Sequence, residues 1–144
     1  MSATHPEDHV GSQPTNFELT VEFHRAIGQA PPAPADVRLR QRLLEEETRE
    51  AVDALEAFRH GGPIEDVAKE LADVLCVAYG AAAALSIPMD RVYREVHASN
   101  MSKVGDGRRR HDGKVLKGPG YWPPDIAAAL QPPRPANGQT ERLR

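Results

Sequence analysis

The sequence predicts an all-α protein, a bundle of four antiparallel helices followed by an ordered C-terminal loop. Three observations lead there. Apolar residues recur three and four positions apart in four successive segments; capping or stopping residues bracket those segments; and no alternating apolar–polar run of a strand appears before residue 101. Short joins make successive helices antiparallel neighbours.

Residues 1–14 are polar and without periodicity, the pattern of a disordered N-terminus. Thr15 is placed to cap a first helix over about 16–27, with Glu18 at the capping-box position. Phe17, Val21, Phe23 and Ile27 form its apolar face, so both phenylalanines read as core rather than as stacking groups for a substrate. His24 reads as a packing or surface histidine rather than a ligand. Pro31-Pro32-Ala33-Pro34 cannot continue a helix and makes a stiff connector, after which Asp36 caps a second helix reaching about Arg59. His60-Gly61-Gly62-Pro63 stops it and sets a proline at the first turn of a third helix, 64–85. Ser86-Ile87-Pro88 ends that helix, and a fourth follows over 89–101 with Val92 and Val96 inward.

The chain then changes character. From Asn100 to Pro124 it combines glycine turns, Arg108-Arg109-Arg110, Lys103, Lys114 and Lys117 with Tyr121 and Trp122. Such a stretch reads either as a solvated basic tail or as an ordered loop that grips phosphate through cations and backbone N–H groups; the two aromatics favour the loop. The helical domain therefore spans 15–126, and 127–144 is a flexible tail.

The unusual residues are acids. On the second helix Glu46, Glu47 and Glu50 fall inside the stripe of Leu39, Leu43, Ala54 and Phe58, and on the third Glu70 and Asp73 share a side with Val77, Ala81 and Ala84. Lys69 and Asp66 are left for solvent. Inward carboxylates are costly unless a cation meets them. Either they are solvated or paired with arginines, or they hold metal.

Net charge of −3 and a pI of about 6.1 argue against a nucleic-acid binder, leaving Arg108-Arg109-Arg110 as weak support for one. The single cysteine, Cys76, excludes an internal disulfide and reads as a buried reduced thiol, which suits the cytoplasm. The N-terminus lacks the basic start and apolar run of a signal peptide, and Val74 to Leu85, the longest apolar stretch, reads as a buried helix rather than a membrane span.

Oxygen ligands without nearby His or Cys select hard cations, magnesium first and manganese as its substitute, over zinc or a di-iron pair. Acids for metal and a loop of cations for phosphate together imply a nucleotide substrate. The competing class is a catalytically silent helical dimer that binds nucleotides or a protein partner.

Glu46-Glu47-x-x-Glu50 followed by Glu70-x-x-Asp73 resembles the E-E-x-x-E…E-x-x-D signature of the all-α nucleoside triphosphate pyrophosphohydrolases, the group of MazG proteins, dimeric dUTPases, dCTP pyrophosphatases and phosphoribosyl-ATP diphosphatase. Leu43-Leu44, Ala72, Ser99-Asn100-Met101-Ser102-Lys103 and Asp112-Gly113-Lys114-Val115-Leu116-Lys117-Gly118-Pro119 are similar to its deinococcal MazG-like branch. The resemblance implies that Glu47, Glu50, Glu70 and Asp73 bind magnesium, with Glu46 a further ligand or the group that orients or deprotonates the attacking water. It implies that Asn100 and Lys103 contact sugar and phosphates, and that Lys114, Lys117 and Tyr121 close over the triphosphate. The implied reaction cleaves the α–β linkage of a nucleoside triphosphate, dUTP for this branch, to monophosphate and pyrophosphate. The implied assembly is a homodimer or dimer of dimers. Phosphoribosyl-ATP is the alternative substrate, which the long Gly/Lys loop disfavours. For the base, Gln41, Trp122 and the face of helix one are the candidates.

Overall fold

The computed structural model describes residues 13–106 and 108–133, all helix, turn and loop with no strand among them. Of the disordered N-terminus expected over 1–14 and the flexible tail expected over 127–144, residues 1–12 and 134–144 lie outside the described residues. The chain divides into two compact units, Met1–Ser86 and Ile87–Arg144.

The first unit holds α1 (Asn16–Ala26), α2 (Val37–Arg59) and α3 (Ile64–Ala84). The expected capping box opens α1: Thr15 Oγ1 accepts from the Glu18 N–H at 3.1 Å and a Glu18 carboxylate oxygen accepts from the Thr15 N–H at 2.7 Å. Asp36 caps α2 by accepting from the Leu39 N–H at 2.9 Å. The turn after α2 needs Gly61 at φ 93°, a conformation glycine adopts without strain. Pro63 then stands at the N-cap of α3, one place before the first turn where it was expected.

α3 packs against both α2 and α1. The buried residues at these contacts are small: Ala51 of α2 and Val67, Ala82, Ala83 and Ala84 of α3 itself are enclosed, and no large side chain among the described residues is fully buried. Phe17 meets Tyr79 with ring centroids 5.9 Å apart. Phe23, Ile27 and Phe58, expected on inner apolar faces, are exposed instead, Phe23 at 58%, and on α3 Ile64, Leu71 and Leu75 are exposed too. Cys76, read as a buried thiol, is also exposed. Helical periodicity identifies an apolar face; whether the same chain covers it is a separate matter, and α3, apolar on nearly every side, has more such surface than α1 and α2 can cover.

The second unit holds α4 (Met89–Met101), a 3-10 turn (Val104–Asp106), an irregular loop and α5 (Ile126–Leu130). α5 lies where a flexible tail was expected from 127, capped by Asp125 accepting from the Ala128 N–H at 2.9 Å. The loop is fastened to α4 by side chains: Ser99 Oγ donates to the Trp122 carbonyl at 2.8 Å, Ser102 Oγ accepts from the Trp122 N–H at 3.2 Å, and Glu95 accepts from the Asp125 N–H at 2.8 Å. A single bridge, Arg109 to Val115, closes its basic turn around Gly113. No single helix among the described residues is long and apolar enough to cross a membrane.

Candidate active site

In the first unit, the i,i+3 spacing on α3 sets Glu70 and Asp73 one above the other, and the packing of α2 on α3 brings Glu47 across to them. One carboxylate oxygen from each of the three lies within 4.8 Å of the others. Three oxygens at this spacing, with no imidazole or thiolate among them, suit a hard divalent cation. A second observation agrees: Glu70 is held in the fold with its side chain only 15% exposed, and its Oε2 is buried without any partner. A buried carboxylate oxygen without a donor is destabilising, and a cation would satisfy it.

Glu46 and Glu50 are exposed and outside this group of three. Sequence reasoning had turned all three α2 acids inward; the structure turns in Glu47 alone. The other two act through space. Burial, followed by repulsion from Glu50, Asp73 and Glu46, raises the Glu47 carboxyl above its ordinary value of 4.5. Opposing this is Lys69, assigned to solvent from sequence. Its side chain is 63% exposed, yet its Nζ lies 2.9 Å from both Glu70 Oε1 and Asp73 Oδ2. Those two carboxylates raise the Lys69 pKa well above the usual lysine range. The protein thus carries its own counter-ion one residue before Glu70. That signal was present in the sequence as an i,i+4 Lys–Asp pair.

In the second unit, the basic residues surround a cavity of about 500 Å³ lined by Lys103, Arg108, Arg110, Lys114 and Lys117 with Val115 and Leu116. Lys103 donates to the Asn100 side-chain carbonyl at 2.7 Å. Lys117 and Lys103 lie over the Tyr121 ring at 4.6 and 5.7 Å. Asn100, Lys103, Lys117 and Tyr121 are therefore linked to one another, and Lys114 shares the cavity. Arg110 pairs with Asp112, which keeps that carboxyl below the ordinary carboxylate range. Arg108 and Arg110, absent from the residues given roles by resemblance, are brought to the cavity by the Arg109–Val115 bridge.

An all-α chain with a carboxylate triad suited to a hard cation is a candidate helical metal enzyme, and its family match places it among the hydrolases of acid anhydrides. More particularly, the chain belongs to the phosphoribosyl-ATP pyrophosphohydrolase (PRA-PH) family, whose profile it matches over residues 20–100, more than half of its 144 residues. No curated protein matches the chain. The family match takes in all five acids and Asn100 and ends before Lys103, Lys114, Lys117 and Tyr121.

Proposed function

We propose that this protein is a magnesium-dependent pyrophosphohydrolase that cleaves the α–β linkage of a nucleoside triphosphate, releasing monophosphate and pyrophosphate, with dUTP the first candidate. The observation that carries this reading is the convergence of Glu47, Glu70 and Asp73 within 4.8 Å around a buried, unpartnered Glu70 oxygen. When bound, magnesium or manganese would neutralise phosphate charge and acidify a water. Glu47, Glu70 and Asp73 hold the cation, and Lys69, whose side chain is largely exposed, yields its place. Glu50, one turn after Glu46 and close enough to act on Glu47, supplies a further oxygen. Glu46 orients the attacking water or takes its proton. Asn100 positions the sugar, while Lys103, Lys114, Lys117 and Tyr121 engage the phosphates. The exposed apolar residues of α2 and α3, Val52, Leu55, Phe58 and Leu75 among them, support a homodimer or a dimer of such dimers.

The family's own description favours a second reading, phosphoribosyl-ATP as substrate. Incubation with magnesium and dUTP, dCTP, dTTP, 8-oxo-dGTP or phosphoribosyl-ATP, with products resolved, decides between them. Monophosphate and pyrophosphate from dUTP support the first reading, and turnover of phosphoribosyl-ATP alone supports the second. Inorganic phosphate alone, or no product from any substrate, excludes both.

A further inference from the structure

Of the three consecutive arginines, Arg108 and Arg110 line the basic cavity and Arg109 does not, as alternation along the segments paired at the Arg109–Val115 bridge requires. The turn between those segments is tight: the Arg110 N–H donates to the Lys114 carbonyl and the Gly113 N–H to the Arg110 carbonyl, both at 2.8 Å. Inside the turn stands an acid, Asp112, bonded to one wall of a cavity whose Lys103, Lys114 and Lys117 pair with no carboxylate among the described residues. A carboxylate so close to a group of cations weakens their attraction for an anion, so its placement needs a reason. Asp112 Oδ1 accepts from Arg110 Nε at 3.0 Å and from the Lys114 N–H at 3.2 Å, and its Oδ2 accepts from Arg110 Nη2. Closing the turn takes only the Lys114 bond, which an asparagine would make equally well. The second carboxylate oxygen serves the arginine alone.

Which edge of the guanidinium Asp112 takes decides what is left. Nε and Nη2 make one fork of parallel N–H groups, and Nη1 with the second Nη2 hydrogen makes another. Asp112 holds the first. The second has no partner among the described residues, and a fork of this kind fits two oxygens of a phosphate. A guanidinium fixed along one edge also loses less rotamer freedom when a ligand takes the other. At about 500 Å³ the cavity is in the range of small-molecule sites, and its five lining cations exceed the charge of a single phosphate and suit a linked pair. We infer that Arg110 is a further binding residue for the pyrophosphate end of the substrate, gripping two of its oxygens through the Nη1–Nη2 edge, and that Asp112 is its positioning residue. This deepens the reading above and rests on it only for the source of the phosphates.

Calorimetric titration of the full chain with sodium pyrophosphate, in chelator and at low salt, reads the cavity without metal. Pyrophosphate is expected to bind at least about tenfold more tightly than orthophosphate; equal affinities, or no binding of pyrophosphate, overturns the inference. Arg110→Lys keeps the charge and loses the fork, and should weaken pyrophosphate binding by about tenfold; unchanged affinity removes Arg110. Both side chains are about half exposed, so the variants should melt as the wild type does. Asp112→Asn separates positioning from charge. Loss of a negative charge would by itself tighten anion binding, whereas a freed guanidinium should weaken it by about threefold or more; tighter or unchanged binding overturns the role of Asp112. In the Arg110→Lys background, Asp112→Asn should weaken binding no further. The same loss in both backgrounds would mean that Asp112 serves only the turn, and overturns its role too. Tighter binding of a single-stranded oligonucleotide than of pyrophosphate would make the loop a nucleic-acid surface and likewise overturn the inference. Parallel hydrolysis assays with magnesium separate the two layers. Cleavage of a nucleotide, with pyrophosphate affinity untouched by Arg110→Lys, leaves the reaction and removes the role of Arg110, whereas the expected affinities without cleavage of any nucleotide do the reverse.

Discussion

The two charged regions of this molecule solve opposite problems by opposite means. In the first unit, like charges sit on two long helices whose backbone geometry fixes them, and the cluster needs a cation: Lys69 supplies one from the chain itself. In the second unit, cations sit on a loop with little regular structure, held by Ser99, Ser102 and Glu95 reaching from α4 to loop backbone, and five of them line one cavity. Rigid elements hold charges that must be close, and a fastened loop holds charges that must spread around a larger ligand.

The most severe way to break this comparison is to remove a carboxylate from the helices. Asp73→Asn is expected to weaken magnesium binding by about a hundredfold or more, beyond the usual effect of losing a supporting group around a metal; calorimetric titration measures it, and a loss below tenfold would remove Asp73 from the ligand set. Next comes the loop. Lys117→Ala should weaken triphosphate binding by about tenfold at low salt, with the difference shrinking as ionic strength rises, and should leave magnesium affinity unchanged; a parallel fall in magnesium affinity would end the separation of roles. Lys69→Gln sharpens the contrast from the other side. With the internal counter-ion gone, magnesium should bind roughly threefold more tightly, in keeping with the modest strength of exposed ion pairs, while the metal-free protein melts at lower temperature; weaker magnesium binding would contradict this.

The smallest effect is in pH. The Glu47 carboxyl is raised above 4.5 in the fold, mainly by burial and then by its acidic neighbours. The fold therefore holds that proton more tightly than the unfolded chain. The resulting stabilisation is complete below 4.5 and is lost as pH rises through the raised value. Urea denaturation of metal-free protein should show stability falling over that interval, less so with saturating magnesium, and not at all from this source in Glu47→Gln. An identical decline in Glu47→Gln would assign it to another group.

Much of the first unit was legible because its signals are local. Thr15 with Glu18, Asp36, and the glycines before Pro63 set helix ends through contacts three residues away, and the observed boundaries follow them closely. Burial was less legible. The positions of Glu46 and Glu50 on the apolar stripe of α2 suggested inward side chains, but only Glu47 faces α3 closely enough to be covered, because the width of a helix–helix contact is less than the width of the stripe. Lys69 was misplaced for a related reason: a flexible side chain on the solvent side can curl to an i,i+4 acid, which a helical projection does not register. Least legible was Arg40, whose partners His24 and Gln29 come from α1 and the segment after it. α5 escaped notice because Ile126–Leu130 is too short to show a period.

Gly80 faces the ring of His24 so closely that a methyl group added there would lie 2.7 Å from His24 Cε1 and Nε2. Bare backbone at this point of α3 is thus what admits the imidazole to its slot. Even alanine would push the ring out of line with the arginine, so a substitution that changes neither charge nor polarity would break a buried hydrogen bond between α1 and α2.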